Sequence, residues 1–215
     1  MSSEPSLWLH SVSVVVIAQF HNPSILNKDF LANNEIVDRK WNTTETISTP
    51  AVSVIQYNNG IRWMADQERL DISKEYNMPF TDEQEDRTHH LAASYVQKIP
   101  HVPYRAIGLN CVVSIEKREP LQWITREFLK PERLCSNMEM IPRFIIKTDK
   151  ATLNLSFGGK TVLRNGKETP SIVIDCNLHH GGPFASVEDM RRVLPGWEHV
   201  KNNIASKLNE ILENT

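Results

Sequence analysis

The most reactive combination of side chains in this chain lies in residues 175–182, which read DCNLHHGG. Carboxylates and imidazoles bind metals and transfer protons, so Asp175, His179 and His180 are candidates for a metal-dependent or acid–base enzyme. Side chains alternate along a strand, however, and adjacent histidines lack the i, i+4 spacing of a helical zinc pair. We therefore favour a polar strand end followed by a Gly-Gly turn, and keep the enzyme as the alternative.

A second group of histidines gives no better metal site. His89 and His90 fall in a predicted helix, and His101 follows it. Neighbouring helix positions point about 100° apart, so the two adjacent imidazoles cannot both face one ion. No carboxylate lies at a matching ligand spacing, and we predict no metal and no cofactor.

The cysteines do not form a recognisable reactive or disulfide pattern. They are Cys111, Cys135 and Cys176, an odd number at wide spacing. Cys111 lies in an apolar run, where a thiol stays protonated, whereas Cys135 lies near Arg133 and is the better reactive candidate. The chain has no Gly-x-Ser-x-Gly motif. We assign no catalytic residue and expect ordinary thiols in a reducing compartment.

The segment 158–161, GGKT, resembles the end of a phosphate-binding loop. It lacks the upstream glycine, and the residues after it favour a strand instead of the required helix. A hairpin turn at Gly158-Gly159 is the preferred interpretation.

Basic residues are concentrated in 117–133, where Trp123 and Phe128 lie among them. Cations for phosphates and rings for bases would suit a nucleic-acid binder, which is our second alternative. A solvated helix fits equally well. The net charge of −2, from 24 basic and 26 acidic residues, argues against a dedicated nucleic-acid protein.

The segment 21–50 is mainly polar, with a few large apolar residues. A loop of this length inside a compact domain is usually functional, and aromatic anchors in such loops are typical of interaction surfaces. The alternative is a lid packed on the sheet edge. We predict that a binding surface is formed by His21, Asn22, Phe30, Leu31 and Trp41.

Strands account for most of the predicted elements that position these groups. The first, residues 7–20, is nearly continuously apolar and is expected to be buried on both faces. Asn59-Gly60 between two apolar runs predicts a hairpin with a type I′ turn. The predicted strands are residues 7–20, 52–57, 61–65, 70–73, 104–116, 143–148, 151–157, 161–163 and 171–177.

Four helices are predicted as well. A short one lies near 27–33, and a longer one spans 81–99 and is capped by Thr81. A third covers 119–129, and the last begins at Ser186 and is interrupted by Pro195-Gly196. The apolar stripe of this last helix predicts a structural role instead of a docking role. The stripe consists of Trp197, Val200, Ile204, Leu208 and Ile211.

The element order predicts an α+β fold, mostly antiparallel sheet with helices on one face. With 40% hydrophobic and 23% charged residues, the chain resembles an ordinary globular protein. We expect one compact domain, 1–215. An alternative is that its two halves, 7–99 and 104–213, repeat one plan through an ancient duplication. The start of the chain lacks a signal-peptide pattern and no apolar run could span a bilayer, so a cytoplasmic location is expected.

Two segments, 21–27 (HNPSILN) and 100–108 (PHVPYRAIG), resemble those of an uncharacterised bacterial protein family of about this length. The resemblance implies a prokaryotic context and supplies no activity and no site residues. From the sequence we expect a non-enzymatic protein-binding or adaptor protein, in a prokaryotic and defence-associated system. A protein partner is expected, a nucleic-acid partner is disfavoured, and the oligomeric state is left open.

Overall fold

The protein folds around one nine-stranded antiparallel sheet, seen in a computed structural model that describes residues 7–80, 86–128, 141–148, 150–184, 186–194 and 197–213. The order across the sheet is β2-β3-β4-β5-β1-β6-β9-β8-β7. The strands are β1 (Trp8–Ala18), β2 (Thr43–Ser48), β3 (Ser53–Tyr57), β4 (Ile61–Ala65), β5 (Arg69–Pro79), β6 (Tyr104–Glu116), β7 (Arg143–Lys147), β8 (Thr152–Arg164) and β9 (Lys167–Gly181).

Five α-helices accompany the sheet in the described part of the chain. They are α1 (Lys28–Asn33), α2 (Thr88–Lys98), α3 (Pro120–Phe128), α4 (Val187–Val193) and α5 (Trp197–Glu213), and a 3₁₀ turn, Pro23–Ile25, precedes α1. None of these helices is long and apolar enough to cross a membrane. The α+β class and the mostly antiparallel sheet agree with the sequence prediction.

The strand order is symmetric about the central β1–β6 pair. β5, β4 and β3 extend from β1 on one side, and β9, β8 and β7 extend from β6 on the other. Within the described residues, β2 is the one strand without a counterpart in the other half. One sheet thus runs through both halves of the chain, and their origin by duplication stays a prediction.

The two faces of the sheet differ, which corrects the expectation that β1 is buried on both. Val12, Val14 and Val16 are buried, but Ser13 and Val15 between them are only half-buried. The buried face joins one hydrophobic cluster with helix residues such as Leu91, Met190 and Leu208. We call the opposite face, which carries Ser13 and Val15, the open face.

The Asn59-Gly60 hairpin forms as predicted, but its turn is not type I′. The Gly60 amide donates to the Tyr57 carbonyl over 3.1 Å, and Gly60 has a φ of +87°. Among the non-glycine residues described, positive φ occurs at Glu35 and Asn165, so Asn59 has the ordinary negative φ. The turn is therefore a type I turn followed by a left-handed glycine, which is the usual three-residue hairpin connection.

The predicted turn at Gly158-Gly159 is wrong, because β8 runs through both glycines without interruption. A Cβ on Gly159 would lie 2.7 Å from Leu121 Cγ, so glycine there gives α3 room to pack on the sheet. The hairpin of β8 and β9 turns at Asn165 and Gly166, where the sequence also predicts a turn, and their φ values of 49° and 76° are the type I′ pattern.

Helix boundaries were predicted with mixed success. Ser186 caps α4, where its hydroxyl accepts from the Asp189 amide as expected. By contrast, α2 begins at Thr88, and the predicted cap Thr81 lies outside the described residues. Pro195-Gly196 and the side chains of Trp197 and Val200 also lie outside the description.

Candidate functional site

The enzyme candidates of segment 175–182 do not converge. Asp175 and His179 lie on the open face, whereas His180 follows Cys176 and Leu178 on the buried face. Four residues along a strand span about 13 Å, which keeps Asp175 and His179 apart. The described residues contain no group of three or more His, Cys, Asp or Glu side chains that could hold a metal ion. The geometry therefore gives the enzyme alternative no support.

Two cysteines do meet, but in the core. Cys111 and Cys176 are directly opposite on β6 and β9, and each is 2% exposed. Contact with the Cys111 thiol and burial raise the pKa of Cys176 well above its usual value. A protonated, buried thiol is a poor nucleophile. Cys135 lies outside the described residues.

A row of hydrogen-bonded amides crosses the open face, and the sequence analysis missed it. Asn110, Asn177 and Asn154 lie directly opposite one another on β6, β9 and β8. Asn154 Nδ2 donates to Asn177 Oδ1 over 3.2 Å, and Asn177 Nδ2 donates to Asn110 Oδ1. Asn110 Nδ2 then donates to Ser13 Oγ over 3.2 Å. We call these four residues the amide row.

The amide row begins at a cation and lies beside a shallow depression. Arg143 Nη2 on β7 donates to Asn154 Oδ1 over 3.1 Å. The depression encloses about 330 Å³ and is lined by Arg143, Asn154, Ser156, Asp175, Asn177, Asn110 and Val112, with Cys111 and Cys176 below. Apart from Val112 and the two cysteines, all of these side chains are polar.

The apolar residues of segment 21–50 that were predicted to bind a partner point into the protein. Leu31 is fully buried, Phe30 packs edge-on against Tyr95 at 6.0 Å between ring centroids, and Trp41 packs against Tyr57 at 5.3 Å. This placement matches the lid alternative. Their predicted role in direct binding would require these side chains to leave their packing partners.

His21 and Asn22 also serve local structure. His21 is buried, and its Nε2 lies 3.3 Å from the Val16 carbonyl oxygen, while its Nδ1 has no partner. Burial lowers the pKa of His21, with smaller opposing effects from the Val16 carbonyl and Asp66. The Asn22 side chain accepts from the Ser24 amide and caps the 3₁₀ turn.

What segment 21–50 does expose is β2, an edge strand that the sequence analysis did not predict. All of its residues except Thr43 are exposed, and Ile47 is 42% exposed. The β-branched run of 43–47, TTETI, was the signal that would have revealed it.

The free hydrogen-bonding groups of β2 follow from its register with β3. The Thr49 amide donates to the Val52 carbonyl over 3.0 Å, and Ser48 pairs with Ser53 and Thr46 with Ile55. Hydrogen-bonded and non-hydrogen-bonded pairs alternate in an antiparallel ladder. The N–H and C=O groups of Ser48 and Thr46 therefore point away from β3, toward the free edge of the sheet.

The basic segment 117–133 lacks free rings for stacking on bases. Phe128 packs against Trp123, Phe144 and Phe157 at centroid distances of 5.2–5.5 Å. The Lys117 ammonium lies 5.2 Å above the Trp123 ring. Residues 129–133 are outside the description. The described part of the segment thus supports packing better than nucleic-acid binding.

Of the adjacent histidines of α2, His89 lies beside the carboxylate of Asp86 at the start of the helix. Asp86 accepts hydrogen bonds from the Thr88 amide at 2.8 Å and from the Tyr76 hydroxyl at 2.7 Å, and His89 Nδ1 lies 3.7 Å away. The His90 ring stacks at 4.1 Å on that of His89, and His101 is exposed.

Comparison with known proteins finds no family profile that matches this chain and no curated protein that matches it. We therefore infer the function from the surface features of the molecule.

Proposed function

We propose that this chain is a non-enzymatic protein-binding module that docks an extended segment of a partner protein along β2. The observation that carries the proposal is the free edge at Thr46 and Ser48, whose backbone groups point away from the sheet. An unpaired edge is a template for an added strand, because main-chain hydrogen bonds then extend the sheet.

The two edge strands of the sheet, β2 and β7, are not equally protected against the addition of a further strand. β7 carries cations at both ends, Arg143 and Lys147, which is a common way of discouraging strand addition. β2 carries one charge, Glu45, beside a register shift near Thr43. The three residues that follow, 46–48, are uncharged and free of proline. This difference favours β2 as the docking edge.

The packing of segment 21–50 gives β2 a firm support. Trp41, just before the strand, packs on Tyr57 of β3, and the Asn58 amide donates to the Asn42 carbonyl over 2.9 Å. A strand that is already held in extended form loses little conformational entropy when a partner adds to it. The buried aromatic residues thus contribute to binding through the strand that they position.

The partner segment is expected to place an apolar side chain beside Ile47. Ile47 lies opposite Val54, which in turn lies opposite Met64, so an apolar strip on the open face reaches the β2 edge. A neighbouring strand brings its side chains within about 5.5 Å of Ile47, close enough for an aliphatic or aromatic pair. Main-chain bonds would supply affinity and this side chain would supply selectivity.

A matched pair of variants tests the proposal. Thr46→Pro removes an outward N–H without removing a β2–β3 hydrogen bond, and Thr46→Val keeps that N–H. Extracts of source cells are passed over immobilised wild type, T46V and T46P. We expect one protein to be retained by wild type and T46V and lost by T46P. Equal retention by all three baits, or no retained protein, would contradict strand addition at β2.

A further inference from the structure

The amide row is an unusual feature for the middle of a sheet. Asparagine is disfavoured in strands, where β-branched and aromatic residues pack better. Yet Asn110, Asn177 and Asn154 occupy three neighbouring strands, on the face opposite to the one that joins the hydrophobic cluster. Residues that break a local rule are expected at functional sites.

The hydrogen bonds of the amide row all run in one direction. From the Arg143 guanidinium, each amide accepts at its oxygen and donates from its nitrogen, until the chain ends at the Ser13 hydroxyl. Each amide keeps a second N–H and a second oxygen lone pair for a ligand. The interlocked amides are therefore fixed in orientation before anything binds.

The amide of Asn177 packs closely against the backbone of Gly108. Its position lies on the open face, opposite His179, and a Cβ there would come within 3.2 Å of Asn177 Nδ2. A side chain at this position would require the Asn177 amide to shift by a few tenths of an ångström. Glycine leaves the amides of Asn177 and Asn110 in place.

Opposite charges flank the depression without neutralising each other. Ser156 pairs with Arg143 on one side and with Asp175 on the other, so the two charged residues lie two strands apart in one row. Two strand spacings separate their backbones by about 10 Å. Asp175 makes no hydrogen bond and no ion pair with any part of the chain that the structure describes, and Arg143 donates only to Asn154.

We infer that this depression, lined by Arg143, Ser156, Asp175 and the amide row, binds the zwitterionic head group of a free α-amino acid. The carboxylate of the ligand lies between the Arg143 guanidinium and the Ser156 hydroxyl, and its ammonium donates to Asp175. Charge-assisted bonds of this kind are the strong ones in recognition. The amides of Asn177 and Asn154 offer further donors and acceptors to the same two groups.

Two features of the depression select this ligand over other small polar molecules. The unpaired charges are one cation and one anion, so a simple anion leaves Asp175 unpaired, and a simple amine does the same to Arg143. A sugar ring usually packs on an aromatic side chain, and the side chains that line the depression include none. The residues that line the site lie on β6, β9, β8 and β7, at the opposite side of the sheet from β2, so the site is independent of docking at β2.

The experiment is a thermal-shift and calorimetric screen of the full chain against the individual L-amino acids. Acetate and methylammonium serve as single-charge probes, and glucose and galactose as sugar probes. Asp175→Asn and Arg143→Gln remove one charge each. Lys147→Gln, at the other end of β7, is the matched control, because Lys147 does not line the depression.

We expect at least one amino acid to raise the melting temperature and to bind saturably, while the single-charge probes and sugars do not. D175N and R143Q should each weaken binding about 10- to 100-fold, the cost of one lost charge-assisted hydrogen bond, and K147Q should not. Absence of binding by every amino acid, binding by sugars alone, or unchanged affinity in D175N and R143Q would each overturn the assignment.

Discussion

His10 and Ser114 are joined across strands β1 and β6, with His10 Nε2 2.7 Å from Ser114 Oγ. The same hydroxyl oxygen accepts a hydrogen bond from Arg164 Nη2 over 2.9 Å, and the Arg164 guanidinium lies 5.6 Å above the Trp8 ring. Arg164 comes from the end of β8, so these contacts fasten the tip of the β8–β9 hairpin onto the open face near β1.

The His10–Ser114 contact predicts a pH dependence of stability. Burial and the nearby Arg164 cation lower the pKa of His10, and Glu116, 4.0 Å from Arg164, is the acidic group at this contact. Because Ser114 Oγ accepts from Arg164, its hydroxyl can donate a hydrogen bond to Nε2 of neutral His10, whereas protonated His10 has no free acceptor and repels Arg164. Because the folded pKa is the lower one, the stabilising effect is present above the unfolded value of about 6.5 and is lost as pH falls through the folded pKa.

Urea unfolding at about pH 7 and about pH 5 measures this effect. On acidification, the His10→Gln variant should lose less unfolding free energy than the wild type. Both proteins keep part of the pH dependence of stability, because burial also lowers the pKa values of His21 and His180. If wild type and H10Q lose the same unfolding free energy between the two pH values, the role of His10 is contradicted.

Asp86 is predicted to stabilise the start of α2 through its negative charge. Burial alone would raise its pKa, but the neighbouring His89 imidazole and hydrogen bonds from Thr88 and Tyr76 outweigh burial and hold the pKa below its usual value. Asp86→Asn should therefore cost about 1.5–3 kcal/mol of unfolding free energy near neutral pH. Asp71→Asn, which disrupts the partly exposed pair with Arg69, should stay within about 1 kcal/mol.

The stabilising effect of Asp86 is also lost as pH falls, as for His10. The fold stabilises the charged form of Asp86, however, whereas it stabilises the neutral form of His10. A lowered folded pKa means that the stabilisation is present above the unfolded value of about 4 and is lost as pH falls through the folded pKa. The difference in stability between wild type and D86N should shrink below about pH 4. A difference that stays constant down to lower pH would show that the charge is not responsible.

Leu31 is predicted to act as a core residue of the segment that holds β2. Its side chain is fully buried, so Leu31→Ala should lower the free energy of unfolding by about 2–5 kcal/mol. Phe20 is also a large apolar side chain but is 70% exposed, and Phe20→Ala should change stability by less than about 0.5 kcal/mol. Denaturant titration of both variants decides, and a normally stable L31A would refute the structural role.

The C-terminal helix α5 is predicted to be part of the core. Ile204 and Leu208 are fully buried, so Leu208→Ala should cost about 2–5 kcal/mol, whereas Ser206→Ala on the exposed side should cost little. A chain that stops after Leu194 should be insoluble or melt without a cooperative transition. If this fragment is soluble, melts sharply and only loses a partner, α5 is a docking helix instead.

Much of the fold follows from local signals that the tertiary structure did not override. The apolar run 104–116 became β6 with the predicted limits, and the serine at 186 capped α4 as its sequence pattern indicates. These signals depend on neighbouring residues alone. The glycines at 158–159 led to the wrong prediction of a turn. Glycine is needed at 159 because Leu121, which is distant in the sequence, packs against that position.

The candidate surfaces were harder to predict, for physical reasons. β2 lacks the alternation of buried and exposed side chains that marks a strand, since nearly all of its residues are exposed. The amide row joins Asn110, Asn154 and Asn177, and only the register of β6, β8 and β9 brings them together. Strand register is set by the whole sheet and is not encoded in any short segment.

Hydrogen exchange at the backbone amides of β2 tests whether a partner strand docks at this edge. In the free protein, the amides of Thr46 and Ser48 should exchange rapidly, and that of Ile47, which faces β3, should be protected. In complex with the protein that wild type retains and T46P does not, exchange at Thr46 and Ser48 should slow about 10-fold or more. Protection of these two amides already in the free chain, or no change on complex formation, would contradict docking at the β2 edge.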